Sequence, residues 1–326
     1  MRRSWTPIAV PALVVVLALL VGLGTGWLRQ GGAVGPARTL PQPRLATVTS
    51  WVYQLQGYEH DRLDALARAP QRLAVIDLAR DAGSDYFTSG EVGAVRRSGK
   101  VVLAYFEIGS IEDFRPEYPR LRAGAPDLIL NRWDEWPNES FVRYWDERWW
   151  DQVVRPRVDR ALRAGFDGVY LDTPLAYQEL DLARVPGATR AGLARAMVNL
   201  IMRISRYAKS QRPEFLIVPQ NSPELRAYDG YTAAIDGIGM EELYFRATDH
   251  PCVESYCAQN LSDTRALRSA GKFVLAVDYA TRPDDIVAAC TRYRQDGFAG
   301  DVTTLDLNRI SAPCPTPPPV AATPIR

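Results

Sequence analysis

Acids and amides recur in this chain at the ends of short apolar runs, and that recurrence is the first sign of chemistry. In GFDGVYLDT, Gly165 to Thr173, an apolar run stops on Asp172. The equivalent positions elsewhere are Gln54, Asp77, Glu107, Gln220 with Asn221, Glu241 with Glu242, Asp278 and Asp306. One aspartate after a strand is usually a turn cap bonding nearby backbone. A set of them converging on one rim makes an oxygen-rich site.

Such a rim has two natural uses. One is a divalent cation acting on a phosphorylated or acidic substrate, where oxygen ligands dominate. The other is glycoside hydrolysis, which needs two carboxyl groups flanking the scissile bond. Only two histidines occur, His60 and His250, in unrelated contexts, so no histidine metal site is indicated and no cofactor is called for. Aromatic residues favour the sugar. Trp51, Tyr53, Tyr58, Tyr105, Phe106, Tyr170, Tyr244, Phe245 and Tyr279 lie on or beside the same strand ends. Their flat faces match the apolar C–H faces of a pyranose, although Phe106, Tyr170 and Phe245 are expected to pack between strands and helices.

The elements that must position these groups alternate along the chain. Short apolar runs at 51–55, 73–78, 101–109, 168–172, 215–221, 238–245, 272–279 and 301–307 are too brief for helices and suit strands buried on both faces. Amphipathic stretches separate them. The longest, 140–165, repeats apolar residues at three- and four-residue steps and predicts one helix kinked at Pro156. Eight strands alternating with helices predict a (β/α)8 TIM barrel, an α/β fold. An open doubly wound sheet is the alternative, but no glycine-rich phosphate loop follows the first strand.

Composition bounds the rest. The chain has 326 residues, 47% apolar residues and a net charge of +1, so no global field draws nucleic acid or an anionic membrane. Two arginines followed by an apolar run, Ile8 to Trp27, predict a signal peptide or membrane anchor over residues 1–28. A Gly/Pro-rich linker is expected over 29–48, the barrel over 49–310 and a Pro-rich tail over 311–326. Either fate of the first segment exports the rest. Cys252, Cys257, Cys290 and Cys314 then read as two disulfides, with Cys252–Cys257 and Cys290–Cys314 favoured among three pairings. The expected partner is a polysaccharide, with a monomeric protein, no nucleic acid, and membrane contact only through the first segment.

The ordered set WVYQLQG, VIDL, LAYFEIGSIEDFRPEY, WPNESFVRYW, GFDGVYLD, VPQNSPEL and DGIGMEELYF resembles glycoside hydrolase family 114, the endo-α-1,4-polygalactosaminidase family. The resemblance runs from about Trp51 to Asp278 and independently implies a TIM barrel. It implies a catalytic aspartate ending the fourth strand, Asp172, and a glutamate ending the sixth, Glu241, with Glu242 the fallback. By the same resemblance Trp51, Gln54, Asp77, Tyr105, Glu112, Arg115, Asn221 and Asp278 belong to the substrate-binding set, which Glu242 and the aromatic Tyr244 join from the sixth strand end. Arg115 is expected to pair with Glu112. Asp172 is assigned as nucleophile and Glu241 as general acid/base, a retaining arrangement. Close packing of Asp77, Asp172, Glu241 and Asp278 should raise the pKa of one member. Two other classes compete: a catalytically silent surface saccharide-binding barrel, and a cation-dependent barrel acting on phosphate esters.

Overall fold

The computed structural model describes Leu45 and residues 48–315, all within one compact unit. The expected signal or anchor segment, most of the linker, and the tail beyond 315 lie outside those residues. Among the described residues no helix is long and apolar enough to cross a membrane.

Eight parallel strands form the centre: β1 (Trp51–Tyr53), β2 (Leu73–Asp77), β3 (Val101–Glu107), β4 (Gly168–Asp172), β5 (Leu216–Pro219), β6 (Gly237–Glu241), β7 (Phe273–Tyr279) and β8 (Ala299–Thr303). The first five form one sheet and the last three another. Parallel bridges Gln220↔Gly239 and Ser50↔Gly300 join the two at both seams and close the ring. The helices include Ser89–Arg97, Arg155–Ala164, Arg190–Gln211, Ser255–Ser269 and Pro283–Asp296. Thr88 opens the first of these with a reciprocal cap: it accepts from the Glu91 N–H, and Glu91 accepts from the Thr88 N–H.

Two apolar sets follow from strand alternation. Val52, Ala74, Ile76, Val102, Ala104, Phe106, Val169, Leu171 and Ile217 face the helices. Trp51, Tyr53, Leu73, Val75, Leu103, Tyr105, Tyr170, Val218, Leu275, Val277 and Tyr279 fill the lumen. Tyr170 therefore packs inside the barrel, not between strand and helix as the sequence predicts. It fits because β6 presents Gly239 beside it: a Cβ there would lie 2.0 Å from the Tyr170 hydroxyl. Gly239→Ala should accordingly cost about 1–3 kcal/mol by overpacking, read as a lower urea midpoint at unchanged slope.

The 140–165 prediction is corrected in its first turns. Glu139–Val142 is the middle strand of a three-stranded antiparallel excursion with Ser110–Glu112 and Ile129–Arg132, inserted after β3. Helix begins only at Glu147, where the Asp146 side chain caps the Arg148 N–H. Phe141 and Val142 fit the helical spacing but are strand residues, both fully buried on opposite faces of the excursion. Before Pro156 the helix widens into a π turn, Trp150–Val154. Proline lacks the N–H that would reach the Gln152 carbonyl, and Arg120 Nη2 donates to that carbonyl at 2.8 Å. Both favoured disulfides are present, Cys252–Cys257 and Cys290–Cys314.

Candidate active site

Alternation also decides which strand-end acids meet. Inward positions end in Asp77 on β2, Glu107 on β3, Asp172 on β4, Gln220 after β5, Glu241 on β6 and Tyr279 on β7. Glu107 and Asp172 are direct register partners. Asp172 and Glu241 stay partly open to solvent, while Asp77, Glu107 and Gln220 are buried.

Asp172 accepts from the Tyr105 hydroxyl at Oδ2 and from the Thr173 N–H at Oδ1, the latter at 2.6 Å. Burial, then the charge of Glu241, raise its pKa to about 7 against these donors. Glu241 is held by more partners. Gln220 and Asn221 donate to Oε2, Asn221 at 3.1 Å, and Tyr279 donates to Oε1. Asn221 in turn accepts from the Glu241 N–H at 3.0 Å. The Tyr53 hydroxyl donates to Gln220 Oε1 at 3.0 Å, which fixes that amide with its NH2 toward Glu241. Two lumen tyrosines, Tyr105 and Tyr279, thus donate their hydroxyls directly to the carboxylates above them.

Beside the pair lies a buried ion cluster. Arg115, 4% exposed, donates to Asp77 at 3.0 Å, to Glu107 at 2.9 Å and to Glu112 at 2.7 Å. Arg157 donates to Glu107 at 2.8 Å and bridges to Glu117. Burial opposes ionisation of Glu107, but the two guanidiniums overcome it and hold its pKa low. Glu112 is raised, by burial and then by the Glu107 charge. Burial raises Asp77 to about 6 although Arg115 opposes the shift.

The model of glycoside-hydrolase family GH114 matches residues 33–317. The chain belongs to glycoside-hydrolase family GH114. As a member of GH114 it is a glycoside hydrolase. An uncharacterized protein of Deinococcus radiodurans is 33% identical over 312 residues, 92% of this chain and 98% of the relative. One from Thermotoga maritima is 29% identical over 72% of each chain. Among solved structures, the glycoside hydrolase domain of PelA from Pseudomonas aeruginosa superposes with a TM-score of 0.63 at 17% identity, covering 82% of this chain and 98% of that one. Ega3 of Aspergillus fumigatus, solved in complex with galactosamine, gives 0.64 at 17% identity, covering 85% and 99%. These two likenesses concern the fold.

Within this GH114 barrel the sequence-predicted residues divide into four groups. Tyr105 and Asn221 touch the Asp172–Glu241 pair, and Asp77, Glu112 and Arg115 form the adjoining ion cluster, where Arg115 pairs with more than the expected Glu112. Trp51 is fully buried in the lumen, its indole N–H on the Ala276 carbonyl at 3.0 Å. Gln54, Glu242, Tyr244 and Asp278 are not brought to the pair. Gln54 bonds the carbonyls of Gln56 and Gly57 in its own loop. Glu242 follows Glu241 at φ 56° and accepts from the Ala247 N–H at 2.7 Å, serving the loop after β6. Tyr244 is tied to Asp296 on a flanking helix. Asp278 is fully buried and outward-facing, accepting from the Tyr244 and Phe245 N–H groups and from Tyr293. Asp306 is exposed beyond β8, and Asp301, bonded to the Tyr53 N–H, is the inward acid of that strand.

Sequence reasoning missed Gln220 and Tyr279 as partners of Glu241, and Ser110, Glu139 and Thr173 altogether. It also placed the accessible aromatics wrongly. Those at the strand ends are buried, whereas Phe114 and Trp136, each 51% exposed, stand on the excursion after β3.

Proposed function

We propose that this exported hydrolase cuts an α-1,4-linked galactosamine-type polysaccharide at internal bonds, using Asp172 and Glu241. The observation that carries the reading is the juxtaposition, at one barrel mouth, of two partly open carboxyl groups each fixed by side chains from neighbouring strands. Family membership and the galactosamine held by the similar Ega3 fold support the substrate class. Two disulfides accord with export, and residues 1–28 would act as signal or anchor, 29–48 as linker, 49–310 as the catalytic barrel and 311–326 as tail. A monomer acting on polymer needs no other partner.

In this reading Asp172 attacks the anomeric carbon while Glu241 gives its proton to the departing O4, forming a glycosyl ester on Asp172. Glu241 then takes a proton from water, which attacks the same carbon and frees Asp172, with net retention. The nucleophile must be ionised, and its pKa is raised to about 7, so activity rises with pH through that value. A sugar ammonium bound beside Asp172 stabilises the carboxylate. The kcat limb, which reports the complex, should then fall at lower pH for a partly deacetylated polymer than for an acetylated one, while the kcat/KM limb stays near 7 for both. Rate profiles between pH 4 and 9 on both polymers check this; identical kcat limbs would count against an ammonium at Asp172.

A reversed split has one observation behind it. Glu241 accepts from three side chains, Gln220, Asn221 and Tyr279, whereas Asp172 accepts from one, Tyr105, and has its pKa raised to about 7. Glu241 would then be the nucleophile and Asp172 the acid.

A further inference from the structure

Thr173, immediately after Asp172, is fully buried yet adopts a left-handed backbone, φ 60°. A β-branched residue is unfavourable there, by about 1–3 kcal/mol, and such strain persists only where the surroundings impose it. Here the conformation aims the Thr173 N–H at Asp172 Oδ1. The side chain is equally engaged. Thr173 Oγ1 donates to the Asp172 carbonyl at 2.8 Å and accepts from the Gly109 N–H at 3.0 Å. Ser110 Oγ lies 2.8 Å from the same oxygen and also bonds Glu139. Gly109 has no side chain because none would fit: its Cβ would sit 2.3 Å from the Thr173 carbonyl.

We propose that Thr173 is a positioning residue of the hydrolysis, holding the Asp172 carboxyl through its own N–H and locking that strand end to the excursion sheet through its hydroxyl. The inference rests on the reading of Asp172 as a reacting group. Ser110 has one hydroxyl proton and two oxygen neighbours, Glu139 Oε1 and Thr173 Oγ1. Burial, then the charge of Asp172, raise Glu139 to about 8. Thr173 donates its own hydroxyl proton to the Asp172 carbonyl. Around Asp172 the titratable neighbours are Glu241 from β6, Tyr105 and Glu107 from β3, Tyr53 from β1, Tyr170 on β4 itself and Glu139 from the excursion.

The test uses the full chain carrying Thr173→Val, Thr173→Ser, Ser110→Ala or Glu139→Gln, beside Asp172→Asn. Kinetics on the galactosamine polymer are joined by a carbon-13 titration of the Asp172 carboxyl, identified by its absence in Asp172→Asn. Thr173→Val should lower kcat about 100-fold with KM within about twofold, as expected for a misplaced reacting group, and should move the carboxyl midpoint upward. Thr173→Ser and Glu139→Gln keep the donors and should stay within about threefold of the parent. If Thr173→Val does not fold, Ser110→Ala carries the test, with about a tenfold loss of kcat and an upward midpoint. A folded Thr173→Val, or in its place Ser110→Ala, with parental kcat and an unmoved midpoint overturns the inference while leaving Asp172 intact. An Asp172→Asn protein that still cuts removes the underlying reading and the inference together.

Discussion

Replacing Asp172 by Asn or Glu241 by Gln should each lower kcat on the galactosamine polymer by at least about a thousandfold, because each removes a partner in bond making or proton transfer. Both substitutions are nearly isosteric, and both residues are partly open to solvent, so thermal midpoints should change little. The alanine variants then assign the roles. Loss of the nucleophile leaves space on the face it attacked from, and azide entering there gives the β-glycosyl azide from an α-linked substrate. Loss of the acid/base leaves the nucleophile to form its ester, and azide then displaces it to give the α-glycosyl azide. The account predicts β-azide from Asp172→Ala and α-azide from Glu241→Ala. The opposite pattern would establish the reversed split.

The second large effect is on stability. Arg115→Met should destabilise the protein by about 3–5 kcal/mol, because it strands carboxyl groups that were paired in a buried site. Asp77 and Glu107 are essentially without solvent, and Arg157 reaches only Glu107 of the three acids that Arg115 serves. For a domain of this size the thermal midpoint should fall by roughly 6–20 °C. Arg115→Lys should rescue little, since an ammonium cannot present the planar fork that contacts three acids at once. Thermal unfolding near pH 7 reads the result. A loss under about 1 kcal/mol would mean that protonation of Asp77 and Glu112 already relieves most of the cluster's charge.

The barrel was legible in the sequence because strands buried on both faces leave continuous apolar runs, and eight of them alternate with helical stretches. That same property hid the strand faces. A run apolar on both sides carries no period-two signal, so it cannot show which neighbour of a pair turns inward. Asp278 and Gln54 were assigned to the mouth although Tyr279 and Tyr53, one residue away, are the inward members. Asp172 and Glu241 fall on inward positions, two residues beyond the lumen residue Tyr170 and the Gly239 packed against it. The excursion strands were invisible for another reason: Phe141 and Val142 match a helical spacing that continues into a true helix. Ser110, Thr173 and Glu139 are joined across 63 and 29 residues, which no local pattern reports. The exposed pair Phe114 and Trp136 did leave a signal, as aromatics within charged loop segments.

The most direct measurement is the appearance of new reducing ends, sized by mass spectrometry, when the purified protein meets acetylated and partly deacetylated α-1,4-galactosamine polymers. The account predicts internal cleavage into oligosaccharides by the parent and none by Asp172→Asn or Glu241→Gln. Undiminished cleavage by either variant would contradict the assigned pair, and polymer bound but left uncut by the parent would contradict the proposed activity.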